Sequence, residues 1–175
     1  PSRKVLKQYV NDVFDKKTVT GGSINSIFMD RQDRIWVMSW YGGLCLYEPA
    51  TDSFKRFPRL GTTNNPFRLF QDAKGQYWIC TWGEGFWQFN PGAPDASIYK
   101  QHVLYKDGGK VPETTFYSIV QDKKYGYLWL MSLSGLYVLE PMGDGTLARH
   151  DISAYLEGSS KLYSEIFQDK DNNLW

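Results

Sequence analysis

An Asp stands at positions 30, 72, 122 and 169, each inside a copy of one pattern, and this recurrence narrows the fold more than any other feature. Two apolar residues precede each Asp: Ile27-Phe28, Leu69-Phe70, Ile119-Val120 and Ile166-Phe167. A polar or Gly turn follows, then an apolar residue and a Trp: Ile35-Trp36, Tyr77-Trp78, Leu128-Trp129 and Leu174-Trp175. Periods of 40 to 50 residues belong either to propeller blades or to paired-helix repeats. The residue types decide between them. Adjacent apolar residues on a strand point to opposite faces, so the stretch before each Asp is expected to be covered on both sides. Asp, Asn and Gly supply the turn after it.

The rest of each copy extends the strand reading. The Trp strand runs to a small hydroxyl, Ser39, Thr81 or Ser132, and a Gly turn follows: Gly42-Gly43, Gly83-Glu84-Gly85 or Ser134-Gly135. A third strand, Leu44–Tyr47, Phe86–Phe89 or Leu136–Leu139, ends at Glu48-Pro49, Asn90-Pro91 or Glu140-Pro141, because Pro cannot donate to a ladder. Phe54–Phe57, Ile98–His102 and Leu147–His150 read as a fourth strand, and Val5–Tyr9 as a further copy of it. In the first unit the four strands are expected at Ser23–Asp30, Ile35–Ser39, Leu44–Tyr47 and Phe54–Phe57. Four short strands per unit predict an all-β chain, a β-propeller fragment of four-stranded antiparallel blades. The expected division is 1–22 (outer strand of a preceding blade and link), blades at 23–61, 62–111 and 112–159, and the start of a further blade at 160–175. Trp36, Trp78, Trp129 and Trp175 are expected to fill the gaps between blades.

Composition excludes several functions. Twenty basic and 19 acidic residues leave a net charge of +1, with no basic stripe for nucleic acid. The longest uncharged run, Tyr125–Leu139, is shorter than the ~20 apolar residues that cross a bilayer, so no membrane contact is expected of this segment. No signal peptide is visible at Pro1. Cys45 and Cys80 occupy different positions in their repeats and read as buried, unpaired thiols; no Cys/His spacing suits a metal, and no cofactor is expected.

The pattern apolar-apolar-x-Asp-x-x-Gly-x-apolar-Trp-x-x-Thr/Ser-x-x-Gly-Leu resembles the two-component regulator propeller repeat. Trp78-Ile79-Cys80-Thr81, Gly43-Leu44-Cys45-Leu46-Tyr47 and Gly135-Leu136-Tyr137 carry the likeness over nearly the whole chain. Phe86 replaces the Leu of the pattern in one copy. The resemblance implies part of the extracytoplasmic sensing region of a Bacteroidetes hybrid two-component protein. Such proteins place two seven-bladed propellers, a β-sandwich and a transmembrane helix before a histidine kinase and response regulator. They detect carbohydrate breakdown products and control polysaccharide-utilisation genes. Periplasmic location, an oligosaccharide ligand and the remainder of the sensor chain as partner are therefore what the resemblance implies.

Three readings of function compete. A non-catalytic sensing module is the first. A protein-interaction scaffold is the second, and fold alone does not separate the two. An enzyme is the third, but its only histidines, His102 and His150, both fall on the outermost strand of their blades, and no catalytic residue is assigned. Three complete units and two partial ones are too few to close a ring, so self-association through open edges or faces is also expected. Strand alternation places the turns between second and third strands on the same side as the links between blades. That side gathers Trp40, Tyr41, Trp82 and Glu84 from the turns, with Leu133 at the third equivalent position, and Asn64 and Asn65 from a link; Arg68 lies close by. Aromatic faces beside amide, carboxylate and guanidinium groups suit a sugar, so these seven residues, Leu133 excepted, are the candidate ligand site. The competing expectation for Trp40 and Trp82 is packing between blades.

Overall fold

A computed structural model describes residues 6–106, 109, 111–143, 146–155 and 165–175. Three four-stranded antiparallel sheets follow one another, each in plain meander order. The first comprises β1 (Ile24–Met29), β2 (Ile35–Ser39), β3 (Gly43–Glu48) and β4 (Ser53–Arg56). The second comprises β5 (Pro66–Gln71), β6 (Tyr77–Thr81), β7 (Phe86–Phe89) and β8 (Tyr99–His102). A two-stranded hairpin, β9 (Leu104–Lys106) with β10 (Val111–Glu113), stands at the 111/112 junction and has no counterpart in the repeat pattern. The third sheet comprises β11 (Phe116–Gln121), β12 (Leu128–Ser132), β13 (Leu136–Pro141) and β14 (Leu147–Asp151). A fourth copy begins with the Gln168–Leu174 bridge. Helix is confined, among the described residues, to 3-10 turns at Asp95–Ser97 and Ser153–Tyr155.

The Asp of each repeat builds its turn. Asp30 Oδ1 accepts the backbone N–H of Gln32 and Arg34 at 2.9 and 3.0 Å, while Oδ2 accepts the Trp36 indole at 2.8 Å. Asp72 and Asp169 repeat both sets of bonds, to Trp78 and Trp175 respectively. Burial works against ionisation of Asp30, but hydrogen bonds from Trp36, Tyr77 and the Arg34 and Gln32 backbone outweigh it and hold the carboxyl well below the usual range. The third turn has one residue more between Asp122 and Trp129. Asp122 still accepts two turn N–H groups there, but the Trp129 indole N–H is buried without a partner.

Sheets stack through their large side chains. Trp36 lies with Tyr77, Phe89, Leu69 and Ile79 between the first and second sheets; Trp78 lies with Phe86, Leu128, Leu130 and Tyr137 between the second and third. Trp36 and Trp78 are buried, as expected. Trp129 is half-buried, and Trp175 is 68% exposed, because no described sheet packs on that face. Similarly Ile27, expected to be covered, is 66% exposed, whereas its counterparts Leu69 and Ile119 are buried under a preceding sheet.

A Gln directly before the Asp stitches neighbouring sheets together. Gln71 Oε1 accepts the Arg31 N–H of the first turn at 3.0 Å, Gln121 that of Ala73 at 2.6 Å, and Gln168 that of Lys123 at 3.1 Å. Each Gln amide also donates to a carbonyl in its own turn. The first repeat carries Met29 in this position.

The expected strand at Val5–Tyr9 does not form. Val5 lies outside the described residues, and Leu6–Tyr9 are not in a strand. This stretch instead lies against the first sheet, where Tyr9 meets Phe54 and Tyr47 edge-on at 5.2 and 5.8 Å and Lys7 pairs with Asp52. Side-chain contact replaces strand pairing there. Arg56 then ties down the following loop through the carbonyls of Asp12, Asp15, Thr18 and Val19. Cys45 and Cys80 are free and buried; burial pushes both thiols up, Cys80 to about 12.

Candidate functional site

In each sheet the innermost strand is interrupted at the same place. Pairing passes from Ile24–Ser39 to Ser26–Met38, from Pro66–Thr81 to Arg68–Cys80, and from Phe116–Ser132 to Ser118–Met131. Asn25, Phe67 and Tyr117 are the extra residues, and such bulges re-aim side chains. Asn25 donates to the Pro66 carbonyl of the next sheet at 2.9 Å. Phe67 meets Trp40, Trp82 and Tyr117 at 6.2, 6.0 and 6.4 Å between ring centroids. Trp40 meets Trp82 at 5.8 Å, and Trp82 meets Tyr117 at 6.1 Å. Four aromatics from two turns and two bulges thus form one shelf. Its members are only partly covered: Trp82 is 40% exposed, and Tyr41, beside Trp40, is 74% exposed.

The packing expected of Trp40 and Trp82 is present. The rings pack across the gap between sheets while leaving part of their surface open. Leu133, the third equivalent, is exposed as well.

The polar candidates hold the shelf in place. Asn65 Oδ1 accepts the Tyr41 N–H at 2.7 Å. Asn64 Oδ1 accepts the Leu60 N–H at 2.9 Å, and its amide donates to the Tyr41 carbonyl at 3.2 Å. Both Asn residues are buried. Gly43 is required beside them, since it sits at φ 81° and a Cβ there would come within 2.7 Å of the Asn64 amide. Glu84 Oε1 accepts the N–H groups of Thr62 and Thr63 at 2.7 and 2.6 Å, joining the second Gly turn to the preceding link. Arg68 crosses toward the third sheet, donating to Ser118 Oγ at 3.0 Å and pairing with Glu165 at 2.9 Å. Glu113 is buried and accepts from Thr114, Thr115 and Ser132. Burial and the Glu113 charge raise the Tyr117 phenol.

Phe67 and Tyr117 escaped the sequence reading, although both stand five residues before their Asp. That spacing was the available signal. What it could not reveal was the bulge that turns these side chains toward the shelf.

His102 and His150 lie on β8 and β14, the outermost strands, as the repeat alignment required. His102 is buried against Trp78 and Phe86, and burial, then Lys100 and Arg149, lower it to about 4. His150 is exposed beside Glu140. Among the described residues no three His, Cys, Asp or Glu side chains are grouped to hold a metal ion, and no helix is long and apolar enough to cross a membrane.

No family model and no curated protein matches the chain. Solved structures do. The extracellular domain of the putative hybrid two component system BT3049 from B. thetaiotaomicron superposes with a TM-score of 0.66 at 22% identity, over 99% of this chain and 22% of that one. The extracellular domain of the putative one component system BT4673 from the same organism gives 0.63 at 25% identity, over 87% and 20%. Virginiamycin B lyase from Staphylococcus aureus gives 0.62 at 16% identity, over 96% and 51%. The chain spans about a fifth of the length of the two sensor domains. A fold shared by sensors and a lyase does not by itself assign chemistry. The chain is a β-propeller fragment similar to the extracellular domains of Bacteroides two-component sensors, the kind of protein its repeat resembles.

Proposed function

We propose that this chain is part of the periplasmic sensing region of a hybrid two-component sensor, and that its aromatic shelf takes an oligosaccharide without chemical turnover. The half-open cluster of Trp40, Phe67, Trp82 and Tyr117 carries this reading. Ring faces stack on the apolar C–H surface of a sugar. Tyr41, beside Trp40, and Arg68, the residue after Phe67, would supply donors to hydroxyls, and Asn64, Asn65 and Glu84 would act by fixing the turns that carry the rings. The blade division at 23–61, 62–111 and 112–159, anchorage of the longer protein in the inner membrane and control of polysaccharide-utilisation genes belong to the same proposal. Calorimetry of the longer sensing region against a panel of neutral oligosaccharides tests it. Trp40→Ala, Trp82→Ala and Arg68→Ala are expected to weaken binding about tenfold or more, ~1.4 kcal/mol, with the fold retained. Unchanged affinity in all three variants would return the rings to a packing role.

A second reading rests on the first sheet. Ile24, Ile27, Met29 and Ile35 form an exposed apolar face, while the positions matching Ile27 and Ile35 in the second and third sheets are covered by a preceding sheet. This face takes another sheet of the same kind, from the longer protein or from a second copy. Light scattering of the 175-residue chain is expected to show association that Ile27→Lys abolishes; a monomer at high concentration removes the second-copy arm.

A further inference from the structure

The two gaps between sheets are built from equivalent positions but end differently at their outer edges. In the first gap, Leu46 and Phe57 of the first sheet face Phe89 and Tyr99 of the second. Phe57 meets Phe89 at 5.3 Å, Tyr99 stacks on Phe89 at 5.3 Å, and the Tyr99 hydroxyl donates to the Pro58 carbonyl at 3.0 Å. Register places Gln88 where Leu46 stands, His102 where Phe57 stands, and Arg149 where Tyr99 stands. In the second gap the apolar wedge is therefore replaced by polar and cationic groups. A crevice of about 720 Å³ opens there, against about 440 Å³ at the edge of the first.

Lys74, Lys100 and Arg149 line this crevice. None of the three side chains has a hydrogen-bond or ion-pair partner among the described residues. The one described carboxylate in the lining, Asp72, is committed: its oxygens accept the N–H groups of Lys74 and Gln76 and the Trp78 indole, each at 2.9 Å. Cations converging on one crevice repel one another, and a bound anion reverses the sign of that interaction. His102, inside the crevice, feels Lys100 and Arg149 directly.

We propose that the crevice between the second and third sheets binds a small oxyanion, a carboxylate, sulfate or phosphate group, between Lys100 and Arg149, with Lys74 at its mouth. The site is separate from the aromatic shelf and does not depend on it. Gln88 offers its amide to a hydroxyl if the anion is borne by a sugar.

His102 is the reporter. The groups that line the crevice with it are Lys100 on its own strand, Gln88 on β7, Lys74 and Asp72 in the β5–β6 turn of the same sheet, and Arg149 on β14 of the facing sheet. An anion held between the two cations favours the protonated ring, so its titration midpoint rises. Ring NMR of His102 in the 175-residue chain is followed while sodium sulfate, sodium phosphate, sodium glucuronate or neutral glucose is added at constant ionic strength set with chloride. A saturable shift with at least one oxyanion, a midpoint raised by about one pH unit, and no response to glucose are expected. Glucuronate binding more tightly than sulfate identifies an acidic sugar; sulfate or phosphate binding alone identifies a free anion. Lys100→Gln with Arg149→Gln is expected to weaken binding at least tenfold, while Arg149→Lys retains it. Shifts that do not saturate, or that persist undiminished in the double variant, overturn the proposal.

Discussion

The gap between the first and second sheets and the gap between the second and third start from the same Trp, yet only the first is closed by aromatic rings toward its outer edge. Trp36 meets Phe57, Tyr77 and Phe89 at about 5.5 Å, and its indole shares the buried Asp30 carboxylate with the Tyr77 hydroxyl and the Arg34 guanidinium. Trp78 stacks on Phe86 at 5.2 Å with the rings nearly parallel, but its outer neighbour is His102. The difference teaches that stacking needs apolar side chains only near the middle of each sheet. Outer-strand positions carry less of the core and are free to diverge, which is where a repeat can acquire a site.

The strongest way to break the comparison is to remove the Trp. Trp36→Ala is expected to cost about 3–5 kcal/mol, as for buried aromatic truncations, and Trp129→Ala less than half as much because its face is partly open. Urea denaturation monitored by circular dichroism compares the two; equal losses would mean that the second stacking partner contributes nothing.

Next in size is a pH effect confined to the second gap. His102 titrates at about 4 in the folded chain against 6.5 for an unperturbed His. The unfolded chain therefore binds the extra proton first as pH falls. Stability is complete above about 6.5 and declines toward 4, with a slope of at most about 1.4 kcal/mol per pH unit. His102→Phe, which restores the residue type of the first gap, is expected to flatten this slope in denaturation curves at pH 4.5 and 7.

The Gln stitch sharpens the comparison further. Gln71→Met and Gln121→Met each place the residue of the first repeat in a later one and leave one turn N–H unpaired. Each is expected to cost about 1–2 kcal/mol, read from the urea midpoint, with the larger loss at Gln71, the more buried of the two. The smallest effect is expected from Trp129→Phe. Its indole N–H has no partner, so stability should stay within about 0.5 kcal/mol, whereas Trp36→Phe, which strips a hydrogen bond from Asp30, should lose more.

Much of the fold was legible. The expected strand Ile35–Ser39 is β2 and Phe86–Phe89 is β7, residue for residue; Ser23–Asp30 differs from β1 by one residue at each end. These strands are bounded by Asp turns, Gly turns and Pro, which act through their own backbone bonds and need no distant partner. The Gln stitch was written in plain sight as Gln71-Asp72, Gln121-Asp122 and Gln168-Asp169, but its meaning lies in the neighbouring sheet. The β9–β10 hairpin follows no repeat, so no copy announced it.

By itself, the sequence determined the all-β class, the four-stranded unit, the turn chemistry and the side of the sheets on which Trp40, Trp82, Asn64, Asn65 and Glu84 assemble. Local propensity and a strict repeat suffice for these. Tertiary structure alone decided that Phe67 and Tyr117 join the shelf, that the two Asn residues and Glu84 serve as its supports, and that His102 faces Arg149 across a crevice. Each depends on a bulge, a register or a neighbour in another repeat, and such contacts are fixed only when the sheets stack.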